Sequence, residues 1–138
     1  MAIKNDIPGI TGVEIRIPYA DTDQMGMVYY ANYLVYFERG RTEWLRERGL
    51  AYRSLEAKGF YLPVIECSCK YHSSARYDDI ICVQTSLAEA GFASVKFEYK
   101  IVCGERLIAT GASKHPLVNR DLKPVRMPDE LKSILETK

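Results

Sequence analysis

The sequence lacks a dominant charge. Nineteen Lys and Arg stand against eighteen Asp and Glu in 138 residues, a net charge of +1. No whole-molecule field therefore draws in nucleic acid or an anionic membrane, although a local patch can still bind phosphates. The sequence also lacks a long apolar run. Its uninterrupted apolar stretches are a few residues, far short of the about 20 that a membrane-spanning helix needs. The opening MAIKNDIPGITG has no apolar h-region, so no signal peptide is expected. Cysteines are few: Cys67, Cys69, Cys82 and Cys103. With no export signal, reduced thiols in a cytoplasmic protein are expected. There is no internal repeat, linker or low-complexity tract, and no G-x-S-x-G, P-loop or G-x-G-x-x-G motif. What remains is an ordinary balance, 47% hydrophobic and 27% charged. It excludes a disordered chain, a collagen and a disulfide-stapled scaffold. One domain over residues 1–138 is expected, burying roughly 68% of its unfolded surface.

Within that domain, the periodicity changes once. Val13, Ile15, Ile17 and Tyr19 alternate with Glu14, Arg16 and Pro18, which predicts a half-buried strand over 13–19 that ends or reaches an edge at Pro18. A loop, ADTDQMG, follows. Over 30–48 the apolar residues Ala31, Leu34, Phe37, Trp44 and Leu45 recur at helical spacing, and the first turns, YYANYLVYF, are apolar nearly all round. That predicts a buried helix, with Gly49 at its C-terminal cap. A short helix is expected over 51–58, closed by Gly59. Four strands follow: FYLPVIECSCKYH to about residue 72, DIICVQTSLAEA, VKFEYKIVC and RLIATGASKHPLV. The last two read as hairpin partners across Gly104–Glu105. A final short helix starts after Pro128. One helix among antiparallel strands implies the α+β class, a sheet curled around one long helix.

The densest chemistry lies in the loop before that helix, where Asp21 and Asp23 stand. A calcium loop begins with D-x-D and a glycine in this way, but Met25 and Asn32 occupy positions that would need ligands. Turn aspartates also bond nearby backbone N–H groups, which would suit Asp21. A third reading is catalytic. The helix opens near Tyr29–Ala31 without a Ser, Thr or Asp cap, and Asn32 is a rival cap. Bare first-turn amides carry the positive end of the helix dipole and can hold a carbonyl oxygen as it gains charge. A carboxylate just ahead of them can attack the carbonyl carbon or activate a water.

Elsewhere, Cys67, Cys69 and His72 suggest zinc only weakly, because C-x-C-x-x-H lacks a second ligand pair and His115 is distant. Two apart on a strand, Cys67 and Cys69 are expected on one face as small apolar fillers. Ten tyrosines without a basic stripe fit strand packing and a pocket wall rather than base stacking.

The segment YADTDQMGMVYYANYLVYFERGRTEWL resembles the signature of the hotdog-fold thioesterases. The nearest branch is the 4-hydroxybenzoyl-CoA thioesterase group, which includes the acyl-CoA thioester hydrolases associated with the bacterial Tol–Pal cluster. The likeness continues loosely through ARYDDIICV, SVKFEYKI, IATGASKHPLV and MPDEL. It implies the hotdog fold, an antiparallel sheet wrapped around one long central helix. It also implies hydrolysis of a small aliphatic or aromatic acyl-coenzyme A to free acid and coenzyme A, with no cofactor and no metal. Carried over by position, Asp23 matches the catalytic carboxylate, as nucleophile or general base. Tyr30 matches the helix-start residue whose backbone N–H polarises the thioester carbonyl. Many Tol–Pal relatives have histidine at that place, so the acyl group stays open and no imidazole is available there. Tyr29, Glu38, Lys70 and Arg76 are taken as substrate-binding. Glu38 faces either the acyl group or solvent on the helix's polar side. Lys70 and Arg76 are clamps for the phosphates of coenzyme A, or solvated surface charge. The resemblance further implies a homodimer or a dimer of dimers, which would cover edge strands. Two other hotdog activities compete: acyl-CoA binding without cleavage, which would dispense with Asp23, and a dehydratase or hydratase, which would call for a histidine in the loop–helix segment.

Overall fold

The structure, a computed structural model, describes residues 2–3 and 9–136. Six strands form one antiparallel sheet: β1 (Ala2–Ile3), β2 (Ile10–Arg16), β3 (Glu66–Tyr71), β4 (Ile80–Ala90), β5 (Ser94–Cys103) and β6 (Arg106–Pro116), in the order β1-β2-β4-β5-β6-β3. Helix α1 (Asn32–Glu47) lies across one face of the sheet, against β2, β4 and β5. Helices α2 (Tyr52–Ala57) and α3 (Asp129–Glu136) pack beside it and beside β4. This is the α+β arrangement that the sequence predicts.

Why these segments take these forms is visible in their burial. On β5, Val95, Phe97, Tyr99 and Ile101 are buried and alternate with more open residues, the two-residue period of a sheet with one packed face. On α1, Tyr33, Tyr36, Phe37, Gly40, Arg41, Trp44 and Leu45 face inward at helical spacing. Phe37 stacks on Tyr99 with ring centroids 4.4 Å apart, and the Trp44 ring meets Phe97 edge-on at 5.3 Å. Gly40 and Gly111 allow this closeness. A Cβ on Gly40 would collide with Thr85 Oγ1, and one on Gly111 with the Phe37 ring and the Ser68 carbonyl. Gly49, at φ +78°, ends α1 as the sequence predicts. The β5–β6 hairpin closes at Gly104–Glu105, with Cys103 opposite Arg106.

Four expectations need correction. The first strand is Ile10–Arg16 rather than 13–19, because the register with β4 breaks past Arg16: the Ile17 N–H still reaches the Asp79 carbonyl at 2.8 Å, but the Ile17 carbonyl takes the N–H of Asp78, one residue out of step, at 2.9 Å. Residues 60–65 are not strand: Tyr61 pairs singly with Val118, and Pro63 cannot donate to a ladder. The first turns of α1 are not buried all round within one chain. Leu34 and Val35 are exposed, because a helix lying on a sheet covers only one side. Finally, β3 is an edge strand, so Cys67 is exposed and Cys69 half-buried rather than core fillers. Burial still pushes both thiols upward, which keeps them protonated.

Candidate active site

The loop between β2 and α1 folds into a small closed lobe. Thr22 pairs with Val28, and the Asp23 N–H donates to the Met27 carbonyl at 2.8 Å. Gly26, at φ +77°, makes the turn that side chains resist. Inside the lobe, Asp23 Oδ1 accepts the N–H of Met25 at 2.9 Å and of Met27 at 3.3 Å. Asp23 is thus the aspartate that caps a turn, and its carboxylate is fixed by one oxygen. Oδ2 has no hydrogen bond among the described residues. The lobe is anchored from outside. Met27 pairs with Arg76, and Val28 donates its N–H to the Ala75 carbonyl at 2.9 Å.

Asp21 does a different job from the one expected of a turn aspartate. Among the described residues its carboxylate bonds no nearby amide; Oδ2 accepts the hydroxyl of Tyr36, on the second turn of α1, at 2.7 Å. Burial and this bond push the Tyr36 phenol strongly upward. The Asp21 carbonyl accepts both the Tyr29 N–H and Asn32 Nδ2, each at 2.9 Å. Asn32 is therefore not a cap: its amide group donates back to the loop. The consequence is that α1 begins with no side-chain cap. The N–H groups of Tyr30 and Ala31 have no acceptor among the described residues. Bare amides at the positive end of a sixteen-residue helix can receive an oxyanion.

Aromatic rings frame that helix mouth. Tyr30 is 61% exposed, with the Tyr29 ring 4.8 Å and the Tyr71 ring 6.5 Å away. The Tyr71 hydroxyl, from β3, donates to the Tyr30 carbonyl at 3.2 Å. Burial, and after it a hydrogen bond with Cys69, pushes the Tyr71 phenol up to about 12, so it stays a donor at neutral pH.

The sequence-selected residues therefore divide. Asp23, Tyr29 and Tyr30 lie along the lobe and the start of α1, and Arg76 is brought against the same lobe, pairing with Met27 and reaching its guanidinium over Gly26. Lys70 does not join them, because alternation along β3 sends it to the face opposite Tyr71. Glu38 is exposed and lies elsewhere, on the rim of a cavity of about 490 Å³ with Arg41, Tyr52, Glu56 and Leu62. Tyr36 and Tyr71 escaped sequence reasoning. Tyr36 has a partial signal, its place one helical turn from the buried Tyr33; Tyr71 has none, since only the sheet order brings β3 to the mouth of α1.

Below α1 runs a buried chain of polar groups. Arg41 donates through Nη1 to the Tyr99 hydroxyl at 3.0 Å and through Nε to the Tyr52 hydroxyl at 2.9 Å. Tyr99 and Ser113 share a 2.5 Å bond, Ser113 and His115 Nε2 a 2.7 Å bond, and His115 Nδ1 lies 3.2 Å from the Leu62 carbonyl. A guanidinium only donates and a carbonyl only accepts, so the chain uses every donor when each proton in between points from Arg41 toward Leu62. His115 is then neutral, with its proton on Nδ1. Burial, and after it the Arg41 charge, pushes its imidazolium pKa down to about 4.

With this geometry in place, the chain can be set beside known proteins. The model of the thioesterase-like superfamily matches residues 17–135. The chain belongs to this superfamily. The acyl-CoA thioesterase YbgC of Haemophilus influenzae is 33% identical over 121 residues, 86% of this chain and 89% of that protein. A hypothetical protein of Thermus thermophilus superposes with a TM-score of 0.86 at 32% identity, covering 91% of this chain and 95% of that one. The gentisyl-coenzyme A thioesterase BH1999 superposes with a TM-score of 0.82 at 26% identity, covering 88% of this chain and 98% of that one. The fold is the hotdog fold of these thioesterases, and the matched span contains the whole lobe, the uncapped mouth of α1 and every strand from β3 to β6.

Proposed function

We propose that this chain is an acyl-CoA thioesterase, hydrolysing the thioester of a small aliphatic or aromatic acyl-coenzyme A to the free acid and coenzyme A. The observation that carries the reading is one junction. A carboxylate pinned by a single oxygen stands seven residues before a helix-start amide that has no acceptor among the described residues. The names of relatives such as the Haemophilus thioesterase support the same reaction.

The thioester carbonyl oxygen takes the Tyr30 N–H, with the dipole of α1 behind it. Asp23 Oδ2 accepts a proton from water while that water's oxygen adds to the carbonyl carbon. Collapse of the tetrahedral adduct expels the thiolate of coenzyme A, and the proton held by Asp23 is returned to solvent or to the thiolate. In the nucleophilic variant, the carboxylate itself forms the carbon–oxygen bond, the thiolate leaves, and water cleaves the resulting anhydride. Neither route draws on a metal or cofactor, because a thiolate is a competent leaving group. Tyr29, beside Tyr30, lines the acyl entry, and Arg76 is the residue placed to meet a phosphate of coenzyme A. A second copy of the chain completes the site: the rings of Tyr29, Tyr30 and Tyr71, Leu34, Val35 and the free edge of β3 are left uncovered by one chain.

The test is a panel of aliphatic and aromatic acyl-CoAs with free thiol followed by a chromogenic reagent, repeated with Asp23→Asn. Thiol release that falls by about 10²-fold or more in the variant supports the reading. Binding without thiol release would instead mark a non-catalytic acyl-CoA-binding protein.

A further inference from the structure

Arg41 is a cation without a counter-ion. It is 94% buried by its 6% relative exposure, and no carboxylate lies within ion-pair distance of it among the described residues. Both Glu38 and Glu56 stand on the rim of the same groove, yet neither makes an ion pair or hydrogen bond with Arg41. Burying an unpaired guanidinium is costly, so a partner from outside the chain is to be looked for. Two nitrogens of the group are used, Nε by Tyr52 and Nη1 by Tyr99. The third, Nη2, bonds to nothing in the described chain. Nor is it sealed off, since Thr85 Oγ1 is the single buried side-chain polar atom without a partner among the described residues. Nη2 therefore opens on the cavity that Arg41 lines.

The cavity suits one class of ligand. It is an open groove of about 490 Å³, wide enough for a small organic acid. Leu62, Val64 and Leu122 give it an apolar wall. The guanidinium is held rigid from behind by the chain through Tyr99, Ser113 and His115 to the Leu62 carbonyl. A preorganised guanidinium matches the two oxygens of a carboxylate. The two rim glutamates repel a doubly charged phosphate more than a singly charged acid.

We propose that this cavity is a binding site for a small organic carboxylate with an apolar tail, its carboxylate seated on Arg41 Nη2. The site is separate from the Asp23–Tyr30 junction, so a failure of the hydrolysis assay leaves the binding measurement standing.

The full chain is titrated with benzoate and octanoate by calorimetry. Benzyl alcohol, octanol and inorganic phosphate serve as controls. Saturable binding of one acid per chain is expected, at least tenfold tighter than either alcohol or phosphate. Arg41→Gln weakens it at least tenfold, Glu56→Gln tightens it two- to fivefold, and Asp23→Asn leaves it unchanged. If Arg41→Gln does not fold, Val64→Trp, which fills the cavity from its exposed wall, takes its place and must abolish binding. Several results overturn the proposal: no saturable binding, equal binding of phosphate, affinity unchanged by Arg41→Gln or Val64→Trp, or affinity lost in Asp23→Asn, which would place the acid at the loop–helix junction instead.

Discussion

Proline at position 30 tests the backbone amide without touching any side-chain catalyst. A peptide N–H cannot be removed by ordinary substitution, but proline lacks it. Position 30 is suited to the exchange. The Tyr30 N–H bonds to nothing in the described chain, so folding loses no hydrogen bond, and position 30 lies just ahead of Ala31, the N-cap of α1, so proline there interrupts no helical turn. The residue before it, Tyr29, lies outside α1, so proline's bias of its neighbour away from the helical region breaks no helix. The Tyr30 carbonyl, which receives the Tyr71 hydroxyl, is kept. The side chain is also lost, and that loss needs a control. Tyr30→Ala removes the same ring contacts, worth about 0.5–1.5 kcal/mol each, but retains the amide. One oxyanion donor is worth about 2.7–4 kcal/mol, so kcat for acyl-CoA hydrolysis in Tyr30→Pro should fall about 10²- to 10³-fold below that of Tyr30→Ala. Their thermal midpoints should lie within a few degrees of each other. Equal rates in a folded Tyr30→Pro would refute the role given to this amide. A comparable loss in Tyr30→Phe would refute it as well, because the phenol would then be the donor.

Other consequences of the structure are open to direct measurement. Tyr36→Phe removes the hydroxyl from Asp21 Oδ2; since Asp21 is half-buried and water can replace the donor, urea denaturation should show a loss of about 1–2 kcal/mol, and a loss near zero would mean that the bond does not hold the loop. Gly111→Ala drives a methyl group into the Phe37 ring and the Ser68 carbonyl, and should cost about 1–3 kcal/mol, read as a fall of several degrees in Tm. For His115, the folded pKa of about 4 lies below the unfolded 6.5. Between those values the unfolded chain binds the extra proton, so stability is full above pH 6.5 and falls as the pH drops, by on the order of 3 kcal/mol at pH 4. His115→Gln should flatten that part of the pH–stability curve relative to the parent; an unchanged slope would show that His115 is not held neutral.

Much of the fold was legible because the relevant signals are local. The alternation in VKFEYKIVC, the two-residue turn at Gly104–Glu105, the helical spacing of Phe37, Trp44 and Leu45, and Gly49 after them are all set by neighbours in sequence. The errors fall where a distant partner decides. Residues 60–65 carry strand-forming types, yet the β6 edge that could pair with them is taken by Glu66–Tyr71, and Pro63 breaks the run. The apolar first turn of α1 reads as buried on composition. The sheet covers only the side bearing Tyr33, Tyr36 and Phe37, and nothing in the letters says which side that is.

The same division governs the site. An aspartate before an uncapped helix is visible in sequence, and so is the resemblance that singles out Asp23. The assignment of roles between Asp21 and Asp23 is not visible, because both are spaced to cap a turn. Asp23 takes the turn amides because Met27 and Val28 are drawn onto residues 75–76, which closes the lobe around its carboxylate. Asp21 is left to reach across to Tyr36, fifteen residues away on α1. These two roles are linked. The bond to Tyr36 and the two donors on the Asp21 carbonyl fix the start of α1 against the lobe, Asn32 at the head of the helix supplying one of those donors. The Tyr30 N–H, just ahead of that fixed start, finds no acceptor among the described residues, so the same bonds that anchor α1 to the lobe leave this amide facing outward unpaired.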